Sequence, residues 1–291
     1  MAVSYADKLR ILASAILYYI IIYLYIYLGS ILALKLGPPL ISNPVFTFIY
    51  IVAAIILFLL TAYIIHRYVG VCSEAGFIRC LGLTTNGFLE SLVFSSAIIT
   101  LAAVVLGIAS YILNGTNPFN EAVKATIRYA YYSSPEWFNS VPLRLLPVVS
   151  LLVWFLAGIM WFTFIQAFPL NLLSRSFGPS SIPLVSLSFI LLYGAPLLTG
   201  NIKLDDILFL GITYTLILYK YNNSLGLITC YVLLYEMPVR ASFLVGWGLN
   251  ALKVVILLQL SWGITSIVFS LYIIINNIIH AGRDLENREG N

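Results

Sequence analysis

The sequence predicts an all-α, polytopic membrane protein with about eight transmembrane helices filling most of its 291 residues. Three observations predict it. Charged residues make up 9% of the chain against 61% apolar, and mean hydropathy is +1.00. Soluble domains carry roughly 25% charge, so water cannot be the solvent for this surface. Apolar runs exceed the roughly 18 residues that cross a bilayer. Those runs are apolar at both parities, unlike alternating barrel strands, and helices then satisfy the backbone groups that lipid cannot.

The expected spans follow in order. The first covers residues 11–34, between Lys8 and Arg10 on one side and Lys35 on the other, and Gly37-Pro38-Pro39 breaks the chain after it. The second covers 45–65 and ends at His66-Arg67-Tyr68, ahead of a short polar loop with Cys72, Glu74, Arg79 and Cys80. The third covers 88–113. Residues 114–143 are the one long polar stretch; within it, 122–132 fits either an amphipathic helix at headgroup depth or a plain surface loop. The fourth span covers 145–168 and stops at Pro169, since proline removes a helical donor. The fifth covers 182–198, the sixth 207–219, and the seventh starts near Leu225 and meets the polar break Glu236-Met237-Pro238-Val239-Arg240. The eighth lies within 243–279, too long for one simple span unless tilted. Residues 1–280 thus form a single integral domain, with 281–291 a polar, disordered tail.

Net charge is +4 and dispersed, so no basic block points to nucleic acid. Three cysteines make no disulfide framework. Cys72 and Cys80 could pair on an oxidising side; free thiols are the expectation. His66 and His280 sit at helix ends with no Cys/His cluster, which implies no metal and no haem. No phosphate-binding loop or dinucleotide fingerprint implies any other cofactor. The N-terminal apolar run is too long for a signal-peptide core. With the N-terminus inside, cytoplasmic segments hold Lys8, Arg10, Arg67, Arg79, Arg175, Lys220, Arg283 and Arg288, against Lys35, Lys124, Arg128, Arg144, Lys203 and Arg240 outside. This slight bias predicts cytoplasmic termini in the cell membrane. The sequons at Asn114 and Asn222 fall on opposite sides in that topology and read as chance occurrences.

Ionisable groups within a bilayer cost roughly 2.5–3.5 kcal/mol each and are functional candidates by default. Glu236 and Arg240 can pair on one helix face, as a polar centre in the bundle or as charges in a short loop between spans seven and eight. Asn250 and Lys253 share a face, with Gln259 nearby; Lys253 is either a buried cation awaiting an anion or a snorkelling side chain. Gln166 suggests a bond to a neighbouring helix, and Arg175 the membrane surface. Asp205 and Asp206 point to different faces and read as helix capping. Glu90 belongs with the interfacial groups.

Leu81-Gly82-Leu83-Thr84, the helix Trp161 to Phe168 with Ser174-Arg175-Ser176-Phe177-Gly178 after it, Ser188 to Gly194, and Asn223-Ser224-Leu225-Gly226 together resemble the CPBP intramembrane proteases, the type II CAAX prenyl proteases among them. The resemblance covers about residues 80–250. It implies that bundle with its catalytic residues replaced. Trp161-Phe162 stand where the family has its Glu-Glu pair, Gln166 at the motif arginine, Tyr193 at the first histidine, Tyr231 or Val232 at the second, and Glu236 at the last polar position. A water-activating carboxylate and orienting histidines are then missing, although the framework can outlive its chemistry. The expected function is non-catalytic binding of a lipid, a prenylated protein or a transmembrane partner in a pocket of Trp161, Phe162, Gln166, Tyr193, Tyr231 and Glu236. A transporter or permease subunit using Lys253, Asn250 and Glu236, and an active hydrolase with Glu236 as its embedded acid, are the alternatives.

Overall fold

The computed structural model describes residues 4–36, 44–70, 76–132, 141–192, 211–235 and 237–289, and every regular element among them is helical. In chain order these are α1 (Tyr5–Leu36), α2 (Pro44–Val69), the single turn α3 (Phe77–Cys80), α4 (Phe88–Asn114) and α5 (Pro118–Tyr132). Then α6 (Leu146–Gly158) widens through Ile159–Ala167 and continues as α7 (Phe168–Phe177). After them come α8 (Ser181–Leu192), α9 (Tyr214–Tyr221), α10 (Ser224–Cys230), which widens over Tyr231–Tyr235, α11 (Met237–Trp247) and α12 (Leu249–Glu289).

Among the described residues, five helical stretches are long and apolar enough to cross a membrane: Tyr5–Gly29, Phe46–Val69, Phe88–Leu113, Leu143–Phe189 and Leu249–Asn277. Ser224–Leu234 and Pro238–Trp247, bent by 47°, pass the same test as a pair. The chain is therefore a multi-pass helical membrane protein whose large exposed Leu, Ile and Val side chains face lipid.

The centre of the bundle is the wide-turned helix. Phe162 to Leu170 are nine consecutive buried residues, and a helix covered on all sides needs no polar face. Tyr18 and Ile22 of α1, Phe58 of α2, Phe189 of α8 and Tyr214 of α9 join it in one core. A second layer is built on α4, which packs along α12 and α10, with α11 and α5 beside them. There Thr100 lies against Gly263, and the Trp262 indole N–H donates to Ser96 Oγ at 3.0 Å.

Four expectations change. Pro169 does not end its helix, which runs on to Phe177. A proline lacks the N–H that the carbonyl four residues back would receive, yet the Tyr18 and Tyr19 hydroxyls of α1 donate to the carbonyls of Phe164 and Ile165 at 3.0 and 3.1 Å. Arg240 lies not in a loop between spans but in α11, the second helix of the bent pair, and a further break follows at Gly248. The tail is not disordered through 281–289, because α12 is helical to Glu289. Cys80 is disulfide-bonded rather than a free thiol, whereas Cys230 is free and buried. Cys72, Asp205 and Asp206 lie outside the described residues.

The stretch that fitted helix or loop is the helix α5. Its Val123 packs with Leu252 and Ile256 of α12, while Lys124 and Arg128 stay exposed.

Candidate binding site

The widened segment Ile159–Ala167 turns consecutive bulky side chains into different neighbours. Trp161 meets Phe189 edge-on at 5.8 Å between ring centroids. Phe162 is 1% exposed, with the rings of Tyr214 and Tyr231 at 5.2 and 5.1 Å. Gln166, one turn further, is fully buried. Of the residues expected to form one pocket, Phe162 and Tyr231 are thus in contact and Trp161 touches α8 instead. Tyr193 and Glu236 lie outside the described residues. The Phe162 ring occupies closely packed apolar surroundings, where a carboxylate would lose its hydration without a compensating charge. Among the described residues there is no group of three His, Cys, Asp or Glu side chains able to hold a metal ion.

One end of this core is closed by a hydrogen-bonded clamp. Thr163 Oγ1 donates to Ser224 Oγ at 3.0 Å, and the Ser224 hydroxyl donates to the carbonyls of Leu81 and Gly82, each at 3.2 Å. Asn223 caps α10 by accepting from Gly226 N–H at 2.8 Å, and its amide donates to the carbonyls of Thr84 and, at 3.0 Å, Asn86. Asn171 donates to the Cys80 carbonyl at 3.0 Å and to Asn222 Oδ1 at 2.6 Å, and Asn222 donates to the Arg79 carbonyl at 3.2 Å. These bonds dock the 79–86 loop on the start of α10. The amide of the Asn222 sequon is therefore engaged within the protein. The clamp also brings Leu81-Gly82-Leu83-Thr84 and Asn223-Ser224-Leu225-Gly226, far apart in sequence, into direct contact.

On the other side of α10 the bent span opens a cleft of about 460 Å³ between α4, α5, α11 and α12. Thr100, Ala103 and Val104 form one wall, Ile256 and Gln259 the other, and Arg240 reaches in from α11. Pro238 explains the polar groups here. It leaves the Leu234 carbonyl without its helical donor, and the half-buried Arg240 guanidinium donates to that oxygen. Gln259 of α12 donates to the adjacent Leu233 carbonyl. Glu121 of α5 lines the rim and accepts from Lys124 at 2.9 Å.

Asn250 and Lys253 do not join this cleft; both are exposed on α12. Arg175 is exposed, as expected of the surface. Sequence reasoning missed the partnership of Tyr18 and Tyr19 with Pro169. The signal was a proline inside an apolar run, whose missing N–H leaves a carbonyl in need of another donor.

No protein-family model, curated protein or solved structure matches the chain.

Proposed function

We propose that this chain is a non-catalytic membrane-embedded binding protein with the helix arrangement of the CPBP intramembrane proteases, which captures a lipid or lipid-borne ligand. In that arrangement the chain crosses the bilayer eight times. The long run Leu143–Phe189 contributes two crossings joined at Gly178, and residues 211–221 belong to the sixth. One observation supports the reading: Phe162, where the resemblance would put a water-activating acid, is 1% exposed and packed between Tyr214 and Tyr231. Nothing in that contact activates water, whereas the neighbouring cleft has the volume of a ligand site, which typically spans roughly 300–1,000 Å³.

Orientation belongs to the same proposal. Arg10 bonds to the Tyr68 carbonyl and stacks 4.1 Å over that ring, joining the start of α1 to the end of α2. The clamp sets Arg79 near the ends of α7 and α9, which carry Arg175 and Lys220. This basic end faces the cytoplasm of the cell membrane by the positive-inside rule, and both termini with it. Cys80 lies at the same end, so its disulfide calls for a cytosol that tolerates one, as in hyperthermophiles.

The test is direct. Purified protein in lipid nanodiscs is offered a farnesylated peptide carrying a photoactivatable group. Crosslinking without cleavage is the expected result. Peptide hydrolysis that disappears in Glu236→Gln overturns the proposal in favour of an active enzyme.

A further inference from the structure

A second hollow, of about 790 Å³, lies between α1 and α2. Ala13 and Leu17 of α1 and Ile64 of α2 line its apolar length, and Arg10 and Tyr68 close one end. Ala13, Leu17 and Ile64 are exposed within the membrane spans Tyr5–Gly29 and Phe46–Val69, so lipid is the medium that fills the hollow. A helix of 25 residues is longer than the hydrocarbon core of about 30 Å. The first turns of α1 therefore sit at headgroup depth. From Arg10 to Leu17 the helix rises about 10 Å, which carries the hollow down into the hydrocarbon.

Arg10 is the cation at its mouth. Among the described residues, its polar contacts are both with Tyr68: the guanidinium donates to the Tyr68 carbonyl and stacks 4.1 Å over that ring. The carbonyl takes one of five N–H groups, and neither contact supplies an anion. Asp7, one turn earlier on α1, instead accepts from the Ser4 hydroxyl at 2.7 Å. Lys8 and Arg67, exposed at the same helix ends, add to the positive charge. An arginine free at a membrane surface takes up many positions, whereas this one is tied to Tyr68 beside the hollow, with its remaining donors exposed.

We propose that the hollow binds an anionic phospholipid of the surrounding leaflet, its phosphate held by Arg10 and an acyl chain lying along Ala13, Leu17 and Ile64. A guanidinium meets phosphate oxygens with paired N–H donors. A zwitterionic lipid fits the apolar length equally, but its cationic headgroup is repelled by Lys8 and Arg67. A free aqueous anion gains the charge contact and leaves the apolar length unused. The site is separate from the cleft between α4, α5, α11 and α12, and the assignment stands whether or not that cleft captures a ligand.

The experiment offers the full chain, in detergent micelles, phosphatidylglycerol or phosphatidylcholine with the same diazirine-bearing acyl chain, and sequences the crosslinked peptides. Label is expected on residues 13–17 and 64–68, about fivefold more of it from phosphatidylglycerol, the scale of one interfacial cation meeting an anionic lipid. Arg10→Gln, which keeps an amide able to donate to the Tyr68 carbonyl, should bring the two lipids level there. Arg10→Lys should keep the preference. Ala13→Trp, which fills the hollow and leaves Arg10 in place, should reduce label from both lipids. Equal label in wild type overturns the assignment, as does a preference at these residues that survives in Arg10→Gln, or label confined to other helices. Should Arg10→Gln not fold, undiminished label in Ala13→Trp overturns it instead. Soluble glycerol phosphate should not compete; displacement of the lipid would assign the site to an aqueous anion and end the proposal.

Discussion

The Tyr18 hydroxyl donates to the carbonyl oxygen of Phe164 at 3.0 Å, across 146 residues of sequence and inside the apolar core. Tyr19 does the same for Ile165 at 3.1 Å. Both carbonyls precede Pro169, whose missing N–H would strand one of them in a place no water reaches. The protein solves the same problem at Pro238 with Arg240. At both prolines a side chain supplies the absent donor.

Replacing Tyr18 or Tyr19 by Phe should therefore destabilise the protein by about 0.5–1.5 kcal/mol each. In a Pro169→Ala background, which restores the backbone donor, the same replacements should cost less. Thermal unfolding in detergent of the four proteins of each tyrosine's cycle gives the coupling. Identical losses in both backgrounds would mean that the tyrosines act through ring packing alone.

Phe162→Ala should create a cavity next to Tyr214 and Tyr231 and cost about 3–5 kcal/mol, the usual range for a buried aromatic. It should not produce cleavage of a prenylated peptide, since space alone supplies no acid. Phe162→Glu should prevent folding, because the carboxylate would sit unpaired among aromatic rings. A well-folded Phe162→Glu protein would point to polar groups around that site which the described contacts do not include.

Gly226 lies where α10 meets α4. A Cβ there would stand 2.6 Å from the Phe88 carbonyl oxygen and 2.8 Å from Leu92 N, both backbone atoms that cannot swing aside. Gly226→Ala should lower stability by about 1–3 kcal/mol through overpacking. Folded yield by size-exclusion chromatography checks it, with a conservative change on the lipid face, Leu258→Ile, expected to leave yield unchanged.

Orientation can be read with one cysteine. In a protein with its native cysteines replaced by serine, Lys220→Cys marks the basic end. A membrane-impermeant maleimide should react only after the cells are permeabilised. Labelling of intact cells would reverse the topology and put both termini outside, where the Cys80 disulfide would be at home.

The class of protein was readable from the sequence because solvent is decided by totals. Too few charges exist to cover any surface with water-compatible groups, whichever way the helices turn. Pro169 and Pro238 were equally plain as interruptions. What each interruption does was not, since that depends on which donor arrives: Tyr19 from a helix far away in sequence at Pro169, Arg240 from within α11 at Pro238. The cations make the same point. Lys253 stands in an apolar run and Arg240 at the end of a short polar break, and each had both an inward and an outward reading from the sequence. In the folded protein Lys253 is exposed on the outer face of α12, whereas Arg240 faces the cleft. Successive residues on a helix point about 100° apart, so a face is fixed only when neighbours pack against it. Composition determined that this chain lives in a bilayer and does so as helices; only packing decided which of its few polar groups are turned inward.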